Sequence, residues 1–185
     1  MPDTDQPLIS ATQTWLKTII IVYSLCPFAK RELDRGRIYF SVNRETDIER
    51  CLVDLLTECD RLNTDDSIET SLLIYAKAFA DFEDYLDFIE LAEAVLIDQD
   101  YEGIYQLASF HPDYCFEGAA IDDPANYTNR SPYPMLHLLR ETSIENAVAS
   151  YPNPEHIPQR NIELMQALGL AKVQTLLAAC YPKLG

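Results

Sequence analysis

Basic residues, glycine and long apolar runs are all scarce in this sequence of 185 residues. It holds 14 Lys and Arg against 30 Asp and Glu, which gives a formal net charge of -16. This balance argues against binding to nucleic acids and to anionic membrane surfaces, because both require clustered basic side chains. Five glycines are too few for a glycine-rich nucleotide loop, and no GxGxxG, GxxxxGK, GxSxG or HExxH motif occurs. We therefore expect no cofactor.

The chain also lacks the marks of a membrane or disulfide-bonded protein. Its longest apolar run, residues 19–23, is far too short to cross a bilayer. The five cysteines are odd in number and scattered, with no CxxC pair, and the N-terminus is acidic rather than basic. These features predict a cytoplasmic protein with free thiols.

What is present suits one globular domain. The hydrophobic fraction is 48%, and a chain of this length buries about 70% of its unfolded surface without help from a metal or a disulfide. We assign the domain to residues 10–185. Within this assignment, residues 1–9 form a loose tail and residues 151–185 form a helical C-terminal appendage.

Hydrophobic periodicity predicts that helices and strands alternate over the first 110 residues. The expected helices are 12–23, 27–35, 45–62 and 81–97, and the expected strands are 37–42, 70–76 and 104–110. Helical crossovers between strands favour parallel pairing. The predicted fold class is therefore α/β, with a β-α-β-α-β core and a sheet of three to four strands whose fourth member lies at 114–116. A ferredoxin-like α+β arrangement is the alternative.

After the third strand the pattern predicts a long loop and then helices. Residues 111–131 contain Pro, Gly, Asp and Asn without helical periodicity, and loops of this length are often functional. Ser131 and Pro132 have the character of a helix cap and a first helical residue, so a helix is expected from Pro132 through Val148. Two more helices are expected at 158–168 and 171–181, separated by Gly169.

Cys26 is the cysteine with the most unusual position, just before a helix expected to begin at Pro27. Backbone N–H groups and the helix dipole lower the pKa of a thiol there, and Lys30 and Arg31 add positive potential one turn later. These features predict a reactive thiolate, and the alternative is a buried structural cysteine beneath Phe28. The other helical cysteines are expected in the core: Cys51, Cys59 and Cys180.

His111 follows the third strand. Ligands in open α/β sheets gather at the carboxyl ends of strands, so His111 is a candidate general base or metal ligand. The alternative is a structural histidine. The surrounding donors match no standard zinc or calcium spacing, so we expect no bound metal; they are His111, Asp113, Cys115, Asp122, Asp123 and His137.

Arg130, with Asn129 and Ser131, precedes the helix expected at Pro132. A guanidinium fork combined with the free N–H groups of a helix start makes a carboxylate or phosphate site. The alternative is an ion pair between Arg130 and an aspartate of the same loop.

Four segments together resemble an uncharacterised bacterial family, domain of unknown function 1415. They are residues 25–29 (LCPFA), 110–112 (FHP), 128–134 (TNRSPYP) and 137–140 (HLLR). The resemblance spans most of the chain, and the segment around Arg130 is its most specific part. It implies a stand-alone bacterial domain, and it brings no activity and no residue roles.

The sequence does not determine a function. Its best interpretation is a domain that binds a small anionic molecule, with an enzyme as the stronger form of that hypothesis. Arg130 would hold the anion, His111 would be the acid or base, and Cys26 would be a nucleophile or a polar wall. The alternative is a non-catalytic interaction domain that docks a basic protein partner on residues 81–102, which carry nine acidic residues and no basic one. Convergence of Cys26, His111 and Arg130 in one pocket would favour the first hypothesis.

Overall fold

A four-stranded mixed sheet forms the centre of the protein in the computed structural model, which describes residues 5–182. The strand order is β1-β2-β4-β3. β1 and β2 are parallel, and β4 is antiparallel to both β2 and β3. The strands are β1 Ile38–Asn43, β2 Thr70–Tyr75, β3 Tyr105–Phe110 and β4 Met135–Arg140. The α/β fold class with a small sheet is confirmed, and the parallel β1–β2 pair differs from a ferredoxin-like antiparallel sheet.

Two helices cover one face of the sheet. They are α3 Ile48–Thr64 and α4 Phe82–Asp98. Each has an aspartate N-cap, because the carboxylates of Asp47 and Asp81 accept backbone N–H groups of the first turn. Their apolar faces pack on alternate residues of the strands, which gives the first hydrophobic core, including Leu55, Phe88, Leu73, Leu136 and Leu138.

The N-terminal and C-terminal helices cover the opposite face. Their bounds are α1 Gln6–Trp15, a π-helix Leu16–Ile21, α2 Ala29–Asp34, α5 Glu141–Ser150, α6 Ile157–Leu168 and α7 Leu170–Ala178. The second core joins Trp15 and Ile19 to Met165 and Val173 over the other alternate residues of β2 and β4. The C-terminal helices α6 and α7 therefore contribute to this second core, and the division of the chain into a domain at 10–185 with an appendage at 151–185 stays a prediction.

Three other expectations are corrected. Helix α1 begins at Gln6, so the predicted loose tail is wrong from that residue onward, while residues 1–4 lie outside the described residues. The fourth strand is β4, in the segment that was expected to be helical, and residues 114–116 form no strand. Ser131 caps no helix, because its hydroxyl donates to the carbonyl oxygen of Tyr133 at 2.6 Å.

The remaining elements lie close to their predicted positions. β1, α3, β2, α4 and β3 each begin and end within three residues of the expected bounds. Gly169 separates α6 from α7 with φ +79°, a backbone conformation that glycine adopts without steric cost. Over residues 5–182, no helix combines the length and the apolar character needed to cross a membrane.

Candidate functional site

His111 is a fully buried residue with both ring nitrogens occupied. Its Nε2 donates to the carbonyl oxygen of Phe79 at 2.9 Å, and its Nδ1 accepts the backbone N–H of Asp113 at 3.0 Å. This pattern fixes a neutral tautomer. Burial lowers the pKa of the imidazole, which also favours the neutral form. His111 therefore holds two loop segments together and has no lone pair left for a substrate.

Arg130 uses its guanidinium within its own loop. Nε donates to the carbonyl oxygen of Tyr114 at 3.0 Å, and one Nη donates to that of Ile121 at 2.9 Å. The guanidinium carbon also lies 4.7 Å from the ring centre of Tyr127. The expected helix start after Ser131 is absent, so that premise of the anion site is wrong. Anion binding by Arg130, Asn129 and Ser131 itself stays a prediction.

Cys26 is half-buried in a turn before α2. Burial raises the pKa of its thiol, and the backbone N–H groups of Phe28 and Ala29 offset only part of this effect. Because α2 has only six residues and begins at Ala29, its dipole does not outweigh desolvation. The predicted lowering of the thiol pKa is therefore wrong. The prediction that Cys51, Cys59 and Cys180 are core residues is confirmed, and all five thiols are free.

The three sequence candidates do not share one pocket. A cavity of about 540 Å³ opens on the face of the sheet that carries Trp15. Cys26 and Asn129 line this cavity, whereas His111, Arg130 and Ser131 do not. The cavity is thus a different site from the one expected around Arg130.

The strand register defines the floor of the cavity. One row across the sheet is Ile38, Thr70, Leu139 and Gln106, and the next includes Leu72, His137 and Ala108. These rows lie toward the amino ends of β1, β2 and β3. The sequence predicts a site at the carboxyl ends of the strands, which is the opposite end of the sheet from this cavity.

Helices supply the walls of the cavity. Leu16 and Ile20 belong to the π-helix, and Ala147 belongs to α5. The single tryptophan of the sequence, Trp15, also lines the cavity. Its indole N–H donates to the carbonyl oxygen of Arg130 at 2.9 Å, and its ring meets Phe110 edge-on at 5.1 Å. Trp15 is therefore held rigidly beside the space in the cavity.

His137 is the one histidine on the cavity surface within residues 5–182. Its Nε2 lies 2.6 Å from the hydroxyl oxygen of Thr70, and that hydroxyl lies 2.5 Å from the carbonyl oxygen of Leu138. A carbonyl only accepts, so the single hydroxyl hydrogen of Thr70 goes to Leu138, and Nε2–H of His137 donates to Thr70. Burial lowers the pKa of His137 to about 4, so the ring is neutral at pH 7.

Glu32 places a carboxylate in the wall of the same cavity. The side chain is nine-tenths buried, and its Oε1 accepts from Nε of Arg31 at 2.6 Å. Its Oε2 lies 3.6 Å from Nη1 of Arg37 but makes no hydrogen bond within the described structure. Arg31 and Arg37 therefore balance the negative charge of Glu32, while its Oε2 can still accept a hydrogen bond.

Two other expectations concern features away from the cavity. The acidic residues of α4 lie on its solvent-exposed face, as in an ordinary solvated helix, and docking of a basic partner there stays a prediction. Over residues 5–182, no three His, Cys, Asp or Glu side chains are grouped so as to hold a metal ion.

Sequence reasoning missed His137 as a cavity residue. The sequence signal was a single histidine inside the apolar run MLHLL, but that run was interpreted as a helix face. In a central strand the same histidine points to one face of the sheet together with Met135 and Leu139. Recognition of the strand would have identified His137 as a polar group on an apolar surface.

The family model described as "Protein of unknown function (DUF1415)" matches residues 7–175. No curated protein and no solved structure matches the chain significantly.

Proposed function

Because the chain belongs to the family of unknown function DUF1415, and that description names no activity, we propose from geometry that the protein binds a small, largely apolar molecule. The binding site is the cavity between the sheet and the helices that carry Trp15 and Ala147. The observation that carries this proposal is the cavity itself, with its apolar surface and a few polar groups.

The size and lining of the cavity support a small-molecule ligand. Its volume of about 540 Å³ falls within the roughly 300–1,000 Å³ of typical ligand pockets. The cavity is open to solvent, so water contacts its apolar surface when it has no occupant. An apolar ligand would displace this water, which is favourable in proportion to the apolar area covered.

The π-helix in the cavity wall gives independent support. Such segments occur mostly as single-turn insertions in α-helices and are frequent at functional sites. Here the segment Leu16–Ile21 continues α1 directly and supplies Leu16 and Ile20 to the cavity lining. Its altered hydrogen bonding sets the positions of these two side chains, which a regular helix would place differently.

Trp15 allows a direct test of the proposal. A neutral apolar fluorophore, N-phenylnaphthylamine, would be titrated into the protein while energy transfer from the single tryptophan is followed. We expect saturable transfer. Ala108→Leu fills the floor of the cavity and should weaken binding at least about tenfold, because the ligand loses the space it occupies.

Ala94→Leu on the exposed face of α4 is the matched control and should bind the fluorophore like the parent. Absence of transfer in the parent, or equal binding by Ala108→Leu, would refute the proposal. Inorganic phosphate, which represents the anionic ligand expected from the sequence, would be added as a competitor in the same assay. Displacement of the fluorophore by inorganic phosphate would restore that hypothesis.

A further inference from the structure

The hydrogen-bond pattern at His137 narrows the chemistry of the ligand. We propose that the cavity selects an apolar molecule with one hydroxyl or N–H group, which donates a hydrogen bond to Nδ1 of His137. This inference rests on the proposed function, because it concerns the same cavity.

The tautomer of His137 carries the argument. The hydroxyl hydrogen of Thr70 goes to the carbonyl oxygen of Leu138. Nε2 of His137 must therefore be the protonated nitrogen, which donates to Thr70. Nδ1 then presents a lone pair. Nδ1 makes no hydrogen bond to any of residues 5–182. It is also not fully buried, so it is accessible from the cavity.

The two residues beside His137 in its row of the cavity floor offer no hydrogen bond to Nδ1. Leu72 and Ala108 lie on either side of it in the register, and the ring of Phe110 is 6.4 Å away between centroids. A ligand group that donates to Nδ1 therefore replaces water at a site with apolar surroundings. A ligand with only acceptors would leave the lone pair unpaired, which is unfavourable in a buried site.

A carboxylate is the least suitable partner for this position. Its oxygen would meet the lone pair of a neutral imidazole, and the burial that lowers the pKa of His137 opposes protonation of the ring. The charged side chains that line the cavity, Arg31, Glu32, Glu69 and Arg140, carry no net charge together, so they do not offset this effect. The order of preference at His137 is therefore donor, then acceptor, then anion.

Three ligands that share a para-butylphenyl body and differ in their polar end test this order. Isothermal titration calorimetry would compare para-butylphenol, para-butylanisole and para-butylbenzoate with the parent protein. We expect the phenol to bind about tenfold more tightly than the anisole, which corresponds to one net buried hydrogen bond. The benzoate should bind most weakly.

Variants of His137 and Thr70 test which side chains cause the preference for the phenol. His137→Leu keeps an apolar floor without the acceptor, so the ratio between phenol and anisole should fall toward one. Thr70→Val removes the group that fixes the tautomer and should also reduce the ratio, whereas Thr70→Ser should restore it. Rescue by serine separates this positioning role from a merely structural one.

The outcomes separate the two proposals. Equal binding of phenol and anisole to the parent, or an unchanged ratio in His137→Leu, would overturn the donor inference while the cavity remains a binding site. Tightest binding of the benzoate would overturn it in favour of an anionic ligand. If none of the three binds and the fluorophore shows no energy transfer from Trp15, both proposals fail.

Discussion

The imidazole of His111 donates a hydrogen bond from Nε2 to the carbonyl oxygen of Phe79, 2.9 Å away. Phe79 has φ +60°, a left-handed conformation that is costly for a bulky residue. Its ring compensates by stacking on Phe88 with centroids 4.2 Å apart. The hydrogen bond and the ring contact together hold the turn that follows β2 against its intrinsic preference.

Replacement of His111 should therefore affect stability rather than ligand binding. His111→Ala leaves the carbonyl of Phe79 and the N–H of Asp113 without partners and opens a small void, so we expect a loss of about 2–4 kcal/mol in the free energy of unfolding. Urea denaturation measures this loss. His156→Ala, at an exposed histidine, is the control and should change little. A fluorophore affinity that falls in His111→Ala while the fold stays intact would contradict this structural role.

Arg130 should behave as a structural link in the loop between β3 and β4. Arg130→Lys cannot reproduce the two hydrogen bonds to Tyr114 and Ile121, so it should lower the free energy of unfolding by about 1–3 kcal/mol, nearly as much as Arg130→Ala. Phosphate and sulfate should leave the melting temperature of the parent unchanged. The control is Arg50→Lys, because the Arg50 side chain is 71% exposed. A melting temperature that rises with phosphate only in the parent would instead support the anion site.

The elements that the sequence predicts well are those whose signal is local. α3 and α4 have strong helical periodicity and an aspartate before the first turn, and β2 ends in the apolar run Leu72–Tyr75, with all six of its residues buried. β4 is different, because its neighbours in the sheet are residues 71–74 and 105–110, far away along the chain. Its apolar residues also fit a helical spacing, and only pairing on both sides selects the strand.

The candidate site was predicted only in part for the same reason. Cys26 and Asn129 were selected and do line the cavity. His137 could be recognised only with β4 in place, since its orientation follows from the register. The π-helix was also not foreseeable, because one extra residue per turn leaves little mark on the residue spacing of a six-residue segment.

Cys26 should react slowly with alkylating reagents at neutral pH. Burial raises the pKa of its thiol, and only the thiolate is nucleophilic. Timed labelling with iodoacetamide and peptide mapping measures the rate. A ligand in the cavity should slow it further, while the rate at Cys115, a half-buried thiol outside the cavity lining, should not change. Fast labelling of Cys26 at neutral pH would contradict this prediction and restore the reactive thiolate.

His137 should make the protein less stable in acid. The unfolded state binds a proton at His137 near pH 6.5, whereas the folded state does so only near pH 4. Between these values the unfolded chain holds more protons, so stability increases with pH. The stability that depends on neutral His137 is therefore complete above pH 6.5, decreases as the pH falls, and reaches its lowest level below about pH 4. A shift of this size corresponds to on the order of 3 kcal/mol.

His137→Gln isolates this contribution, because glutamine does not titrate. The free energy of unfolding would be measured by urea denaturation at several pH values for the parent and the variant. Their difference should change most between pH 6.5 and about pH 4. The contribution of His111, whose pKa is also lowered, is common to both proteins and cancels. A difference that does not depend on pH would mean that His137 titrates normally. Water would then solvate its ring, and the cavity would be too polar for the donor selectivity inferred from its Nδ1.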